Sequence, residues 1–167
     1  TSGGITPTTA AHKGFVGQYI LNMCPNSTGL ILDHKVVDIL DYAIVLQAIK
    51  NAQPKNVIHL AAVSFVPYSF EHPKETFQVN VLGTLNILLA LRECDFKGSF
   101  LFVSSGDTYG AIEEYEPAIK ETHLQKPRSP YAASKVSAEV LCKQFSLTEE
   151  YRIVIARPFN HIGPGQN

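Results

Sequence analysis

The sequence predicts an α/β fold in which helices cover both faces of a doubly wound parallel sheet. Three observations lead there. Short apolar segments rich in β-branched and aromatic residues alternate with longer helical stretches through most of the chain, the pattern of a parallel sheet buried on both sides. Two of those segments run out into small residues, Ala61-Ala62 and Ser104-Ser105, and open α/β sheets place their chemistry at such carboxyl-terminal strand tips. Near the N-terminus, Ala11, Gly14 and Gly17 fall three apart ahead of a helical stretch, the spacing of a phosphate-cradling turn.

Taken in order, residues 1–10 hold a weak first strand, with Ile5 as the only large apolar residue and Pro7 inside the run. Residues 11–17, AHKGFVG, match a GxxGxxG loop with alanine at the first glycine. A pyrophosphate must approach such a backbone closely, and a methyl at position 11 crowds the turn if φ there is positive. A helix start with two incidental glycines is the other reading. Residues 18–24 suggest a short helix stopped by Pro25-Asn26, and 29–32 (GLIL) the second strand. Asp33 follows where a carboxylate binds an adenosine ribose, while His34 and Lys35 suit a 2′-phosphate. NAD and NADP both stay open.

Residues 35–41 read as a short strand leading to a helix cap at Asp41. A helix over 42–50 follows, with Ile44, Val45, Ala48 and Ile49 at helical spacing, ended by Pro54. Residues 56–62 form a buried strand whose small tip lets a flat ring approach the backbone, with His59 as a hydrogen-bonded core histidine. Residues 64–72 are a loop or short helix. A long helix over 73–92 carries Phe77, Val81, Leu85, Leu88, Leu89 and Leu91, more apolar surface than one stripe, so part of it suits a partner subunit. A strand over 99–103 follows, then a polar surface loop over 111–128 that suits folding over a ligand. A helix over 132–144, a strand over 152–157 and a turn-rich end complete the chain. No repeat or internal linker divides it, and 1–167 reads as one domain.

Composition narrows the function. With 45% hydrophobic residues and a formal net charge of −1, the chain can bury a core and has no electrostatic reason to bind nucleic acid or an anionic membrane. It has no apolar run long enough to span a bilayer and no signal-peptide pattern at its start, which is Thr1 and so suggests a processed or partial chain. Cys24, Cys94 and Cys142 are odd in number and far apart. They suit reduced, buried thiols of a cytoplasmic protein better than disulfides or a metal site.

The chemistry concentrates in FVSSGDTYG, residues 102–110, and YAASK, residues 131–135. The first ends a strand and presents Ser104, Ser105 and Asp107 in a crevice. In the second, Tyr131 and Lys135 are four apart, so on a helix they share a face. An ammonium beside a phenol favours the phenolate and is expected to lower the Tyr131 pKa. With a serine hydroxyl nearby, such a phenol can exchange a proton with a carbonyl oxygen while hydride moves. Ser104 itself is expected to be a strand-end hydroxyl bonded to backbone, and Asn80 and Thr84 to make helix-to-strand hydrogen bonds.

AxxGFVG, DILD, HLAA, NVLGTLN, SSGDTYG, SPYAASK and RPFNHIGPGQ occur in order along the chain. From about Gly14 onward the sequence resembles the extended short-chain dehydrogenase/reductases that act on nucleotide sugars. SSGDTYG with RPFNHIGPGQ is most similar to the branch that reduces the 4-keto group of GDP-4-keto-6-deoxy-D-mannose to GDP-D-rhamnose. The GDP-mannose 4,6-dehydratases, with other sugar-nucleotide dehydratases and epimerases, are the alternative. The resemblance implies a Rossmann-like dinucleotide-binding domain, NADP or NAD as cofactor, a GDP-sugar substrate and a homodimer paired through helices 73–92 and 131–145.

It also implies roles. Tyr131 would protonate the C4 oxygen, Lys135 would lower its pKa and hold the nicotinamide ribose, and Ser105 would hydrogen-bond that oxygen. Asp107 stands where the dehydratases carry a glutamate base, and there it would bind sugar in a reductase. Ala11, Gly14, Phe15 and Val16 would line the pyrophosphate. Asp38 and Ile39 would flank adenine, and Leu60, Ala61 and Ala62 the ribose and nicotinamide side. Pro158, Phe159 and His161 would lie near the nicotinamide, and Asn160 would meet the sugar nucleotide's phosphates. Two features depart from the family: Ala11 replaces a glycine, and the substrate domain that follows GPGQ in family members is mostly absent. Sugar-nucleotide binding by 1–167 alone is therefore expected to be weak, and a non-catalytic nucleotide-binding module is a further alternative. The intact Ser105, Tyr131 and Lys135 favour the enzyme.

Overall fold

The computed structural model describes residues 17–19 (as backbone), 36–111 and 118–160. Strand β1, Gly17–Tyr19, pairs antiparallel with β2, Val36–Asp38, with Gln18 opposite Val37. The helix expected over 18–24 is therefore not what its first residues form. They find a pairing edge in the β-branched Val36 and Val37, and sheet pairing wins over a weak local signal. The strand expected over 29–32 lies outside the described residues.

Asp41 caps helix α1, Tyr42–Ala52, by accepting the Ile44 N–H at 3.1 Å, the usual service of an N-terminal carboxylate. Gln53 closes the helix in the left-handed conformation, at φ 42°. Strand β3 is Asn56–His59 and leads through α2, Val66–Glu71, into a continuous helical run. That run is α3, Pro73–Phe77, a π-helical turn at Gln78–Gly83, and α4, Thr84–Glu93. The single helix expected over 73–92 thus carries a π turn within it. Strand β4, Ser99–Val103, a 3₁₀ turn at Gly106–Tyr109, helix α5, Pro130–Thr148, and strand β5, Arg152–Ala156, follow.

The sheet is parallel in the order β3-β4-β5, with Ile58, Leu101 and Val154 in one row. Alternation along the strands separates its two faces. Phe100 and Phe102 are fully buried on the face covered by α1, α4 and α5, where Val45, Ile49, Leu88, Leu91, Ala138 and Phe145 complete the core. Ile58 and Val154 stand on the opposite face and are exposed among the described residues, the apolar surface that a doubly wound sheet covers with a second helical layer. Cys142 is a buried free thiol and Cys94 a half-buried one. Cys24 lies outside the described residues. Among the described residues no helix is long and apolar enough to cross a membrane.

Candidate active site

Two local devices bring the chemistry-bearing residues to the carboxyl end of β4. Ser105, two residues past β4, is extended, and its hydroxyl accepts the Asp107 N–H at 3.1 Å, capping the 3₁₀ turn. Gly110 closes that turn at φ +76°, where a side chain would also run into the Lys126 carbonyl. Across the crevice, Ser129 accepts the Ala132 N–H at 3.0 Å and Pro130 fills the first turn of α5, so Tyr131 enters at the helix's N-terminal end. Lys135 follows one turn later on the same face.

Tyr131 is 8% exposed and Lys135 4%, while Asp107 is exposed and Ser105 half-buried. Burial pushes the Tyr131 phenol above its ordinary pKa, the Ser105 hydrogen bond opposes this, and the charge of Asp107 adds to the rise. The lowered phenol pKa expected from Lys135 is therefore reversed. Its ammonium donates to the Val103 carbonyl at 2.8 Å and lies 6.0 Å from the Tyr131 ring centroid, nearer Phe102 at 5.0 Å. Burial has also pushed Lys135 itself down, to about 8.

A second cluster lies directly behind this crevice and was not foreseen. Glu139 is fully buried. It accepts from the Ser104 hydroxyl at 2.6 Å, from Gln125 Nε2 at 2.9 Å, and from Arg157 Nε and Nη2 at 2.9 and 2.6 Å. Arg157 Nη1 donates in turn to the Tyr109 hydroxyl at 2.8 Å and to the Glu121 carbonyl at 3.0 Å. Ser104 thus bonds a side-chain carboxylate, not backbone as expected, because that buried carboxylate is the stronger acceptor. The sequence did hold a signal: Glu139 falls eight residues after Tyr131 and four after Lys135. A charge on the buried stripe of a helix needs a partner.

The remaining expected residues divide. The Pro158 carbonyl accepts the Gly106 N–H at 2.8 Å, and Phe159 stacks on Tyr109 with centroids 6.1 Å apart and rings 5° from parallel. This brings the segment ending at Asn160, exposed like Pro158, against the turn that carries Ser105 and Asp107. At the other strand tips, Asp38 is exposed, Ile39 turns its side chain into the core, and Leu60 is exposed beside buried Ala61 and half-buried Ala62. Ala11, Gly14, Phe15, Val16, Asp33 and His161 lie outside the described residues. Thr84 makes the helix-to-strand bond expected of it, to His59 of β3, whereas Asn80 bonds Val63 in the segment after β3 and Ser134 of α5 rather than a strand. The Asn80 amide accepts the Val63 N–H at 2.8 Å and donates to the Val63 carbonyl at 3.0 Å, and the Thr84 hydroxyl bonds His59 Nε2 at 2.9 Å.

Known proteins are similar to this chain in sequence and fold. A family model described as GDP-mannose 4,6 dehydratase matches residues 28–167. GDP-6-deoxy-D-mannose reductase of Pseudomonas aeruginosa is 53% identical over 113 residues, covering 68% of this chain and 37% of that protein. The structure of RMD from Pseudomonas aeruginosa complexed with NADPH matches with a TM-score of 0.77 and 46% identity, over 83% of this chain and 46% of that one. The structure of UDP-glucose 4-epimerase from Thermus thermophilus in complex with NAD matches with a TM-score of 0.68 and 37% identity, over 72% and 39%. The chain spans less than half the length of each of these relatives.

Proposed function

The chain belongs to the GDP-mannose 4,6-dehydratase family of extended short-chain dehydrogenase/reductases, and on that premise we propose that it carries the dinucleotide-binding domain and proton-transfer residues of a sugar-nucleotide reductase. The reaction would reduce the 4-keto group of GDP-4-keto-6-deoxy-D-mannose to GDP-D-rhamnose. The identity to a named GDP-6-deoxy-D-mannose reductase supports this choice within the family.

The observation that carries the reading is the placement of Tyr131, buried at the start of α5, hydrogen-bonded to Ser105 and one helical turn from Lys135. Burial and Asp107 raise the phenol against the Ser105 hydrogen bond, so it carries the proton that a general acid gives to a carbonyl oxygen. Ser105, at the strand tip, would donate a hydrogen bond to the same oxygen and hold it near Tyr131. Lys135 would hold a ribose hydroxyl by turning from the Val103 carbonyl, one turn of helix from the phenol. The exposed carboxylate of Asp38, the small Ala61 and Ala62 and the buried Lys135 ammonium fit a nicotinamide dinucleotide laid across the strand tips. Bound there, NADPH or NADH would supply the hydride. Phe77, Leu82 and Val140, exposed on the helical run and α5, support a homodimer through those helices.

The test is NADPH oxidation with GDP-4-keto-6-deoxymannose by the full-length protein that contains this chain, with the product identified by chromatography. GDP-D-rhamnose is expected, and Tyr131→Phe should lower turnover by about 10²–10⁴-fold while the fold survives. Conversion of GDP-mannose to a 4-keto sugar without net NADPH consumption would instead make the protein a dehydratase. That alternative is favoured by the matching family model, whereas an aspartate at 107, shorter than the dehydratases' glutamate, speaks for the reductase.

A further inference from the structure

Five segments of chain meet at one buried ion pair, Glu139 with Arg157. Ser104 comes from the tip of β4, Tyr109 from the end of the 3₁₀ turn, Glu121 and Gln125 from the loop ahead of α5, Glu139 from α5, and Arg157 from the end of β5. A carboxylate offers about four acceptor sites, and Glu139 fills four, two of them with the planar fork of Arg157. A fork seated this way fixes direction as well as distance. Ser105 and Asp107 lie between the two anchored positions, Ser104 and Tyr109, yet neither touches the pair.

We propose that Glu139 and Arg157 are positioning residues whose paired side chains grip the 104–109 turn at both ends, set Ser105 against Tyr131, and tie the loop at Glu121 and Gln125 to the same geometry. A buried ion pair is by itself weak evidence of stabilisation. What distinguishes this one is where its spare donors go. Arg157 Nη1 does not add to the carboxylate but reaches the far end of the turn, at the Tyr109 hydroxyl, and the Glu121 carbonyl of the loop. Loosening the pair would free the turn and the loop together while leaving β3 and α4 in place.

The clasp bears on turnover only if Ser105 and Tyr131 do the proton chemistry proposed above, so the experiment reads its two consequences separately. In Arg157→Lys the charge remains and the fork is lost. The reporters are the amides of Gly106, bonded to the Pro158 carbonyl, and of Lys126, bonded to the Thr108 carbonyl. The control is the Val63 amide, bonded to Asn80. Hydrogen exchange followed by NMR should quicken about tenfold or more at Gly106 and Lys126 and stay unchanged at Val63. In the full-length enzyme, kcat should fall about tenfold while the KM for NADPH stays within about twofold. Equal quickening at all three amides, quickening at none, or a loss carried by KM would overturn the proposal. If Arg157→Lys does not fold, Ser104→Ala removes one donor and is read the same way. A wild-type enzyme with no turnover would sink the functional reading and leave the exchange comparison to decide the clasp.

Discussion

Two buried polar clusters flank β4, and they are built from opposite chemistry. Behind β3, His59 bonds the Thr84 hydroxyl, Thr84 donates to the Asn80 carbonyl, and the Asn80 side chain bonds the Val63 main chain and the Ser134 hydroxyl, all neutral hydrogen bonds of 2.7–3.0 Å. Beyond the tips of β4 and β5, Glu139 and Arg157 form an ion pair with Ser104, Gln125 and Tyr109 around it. Burial acts on both in the same sense, against charge. At His59 it prevails, and with Lys135 nearby it drives the imidazole down to about 3, so the ring stays neutral. At Glu139 the bonds from Arg157, Ser104 and Gln125 outweigh it and hold the carboxyl below its ordinary value. A buried titratable group keeps its charge only where its partners outweigh the cost of burial.

The contrast should be largest at Glu139. Glu139→Gln keeps the shape but leaves Arg157 without its counter-charge, and should cost about 3–5 kcal/mol in denaturant unfolding. A loss near 1 kcal/mol would put the ionic cluster on a par with an ordinary neutral hydrogen bond. In the neutral cluster, Asn80→Ala deprives the buried Val63 amide of its acceptor and should cost about 1–3 kcal/mol by the same measurement.

pH sharpens the difference further. The folded pKa of His59, about 3, lies below its ordinary 6.5. The unfolded chain therefore takes up the proton first, so the contribution is whole above pH 6.5 and lost as pH falls toward 3. The slope is at most about 1.4 kcal/mol per pH unit. Unfolding measured across that window should show a clear loss of slope in His59→Gln, and an unchanged slope would assign the acid sensitivity to another group. Smallest is Gly106→Ala. Its new methyl carbon would stand 2.8 Å from Phe159 Cδ1, but that ring is 54% exposed and can swing aside. The expected cost is below about 1 kcal/mol, under the usual range for overpacking. A larger loss in a thermal melt would show that the Phe159–Tyr109 stack resists displacement.

What the sequence revealed was local. Asp41 as a cap, the β-branched and aromatic run ending at Val103, the start of α5 at Ser129-Pro130 and the shared face of Tyr131 and Lys135 each depend on residues a few positions apart, and each stands in the structure. His59 was legible because a single histidine in an apolar strand has few ways to be satisfied. The Glu139–Arg157 pair was not, since its members are 18 apart in sequence and only the folding of α5 back along β5 joins them. The phenol's pKa was misjudged for a related reason. Spacing on a helix places Lys135 beside Tyr131, but it cannot say that the ammonium turns to Val103 or that burial outweighs it.

The π turn at Gln78–Gly83 has a consequence for the chain's tolerance of length. A π turn holds one residue more than the α turn it replaces. Removing one residue there would let the run close up as plain α-helix, with Pro73–Phe77 and Thr84–Glu93 keeping their faces toward the core. The amide of Asn80 would then no longer meet both main-chain groups of Val63 and the hydroxyl of Ser134, which itself bonds the Tyr131 carbonyl. One surplus residue, of no use to the helix, is what joins the segment after β3 to the helix that bears the phenol. A deletion in that stretch should be quiet in a far-ultraviolet spectrum and conspicuous at the crevice.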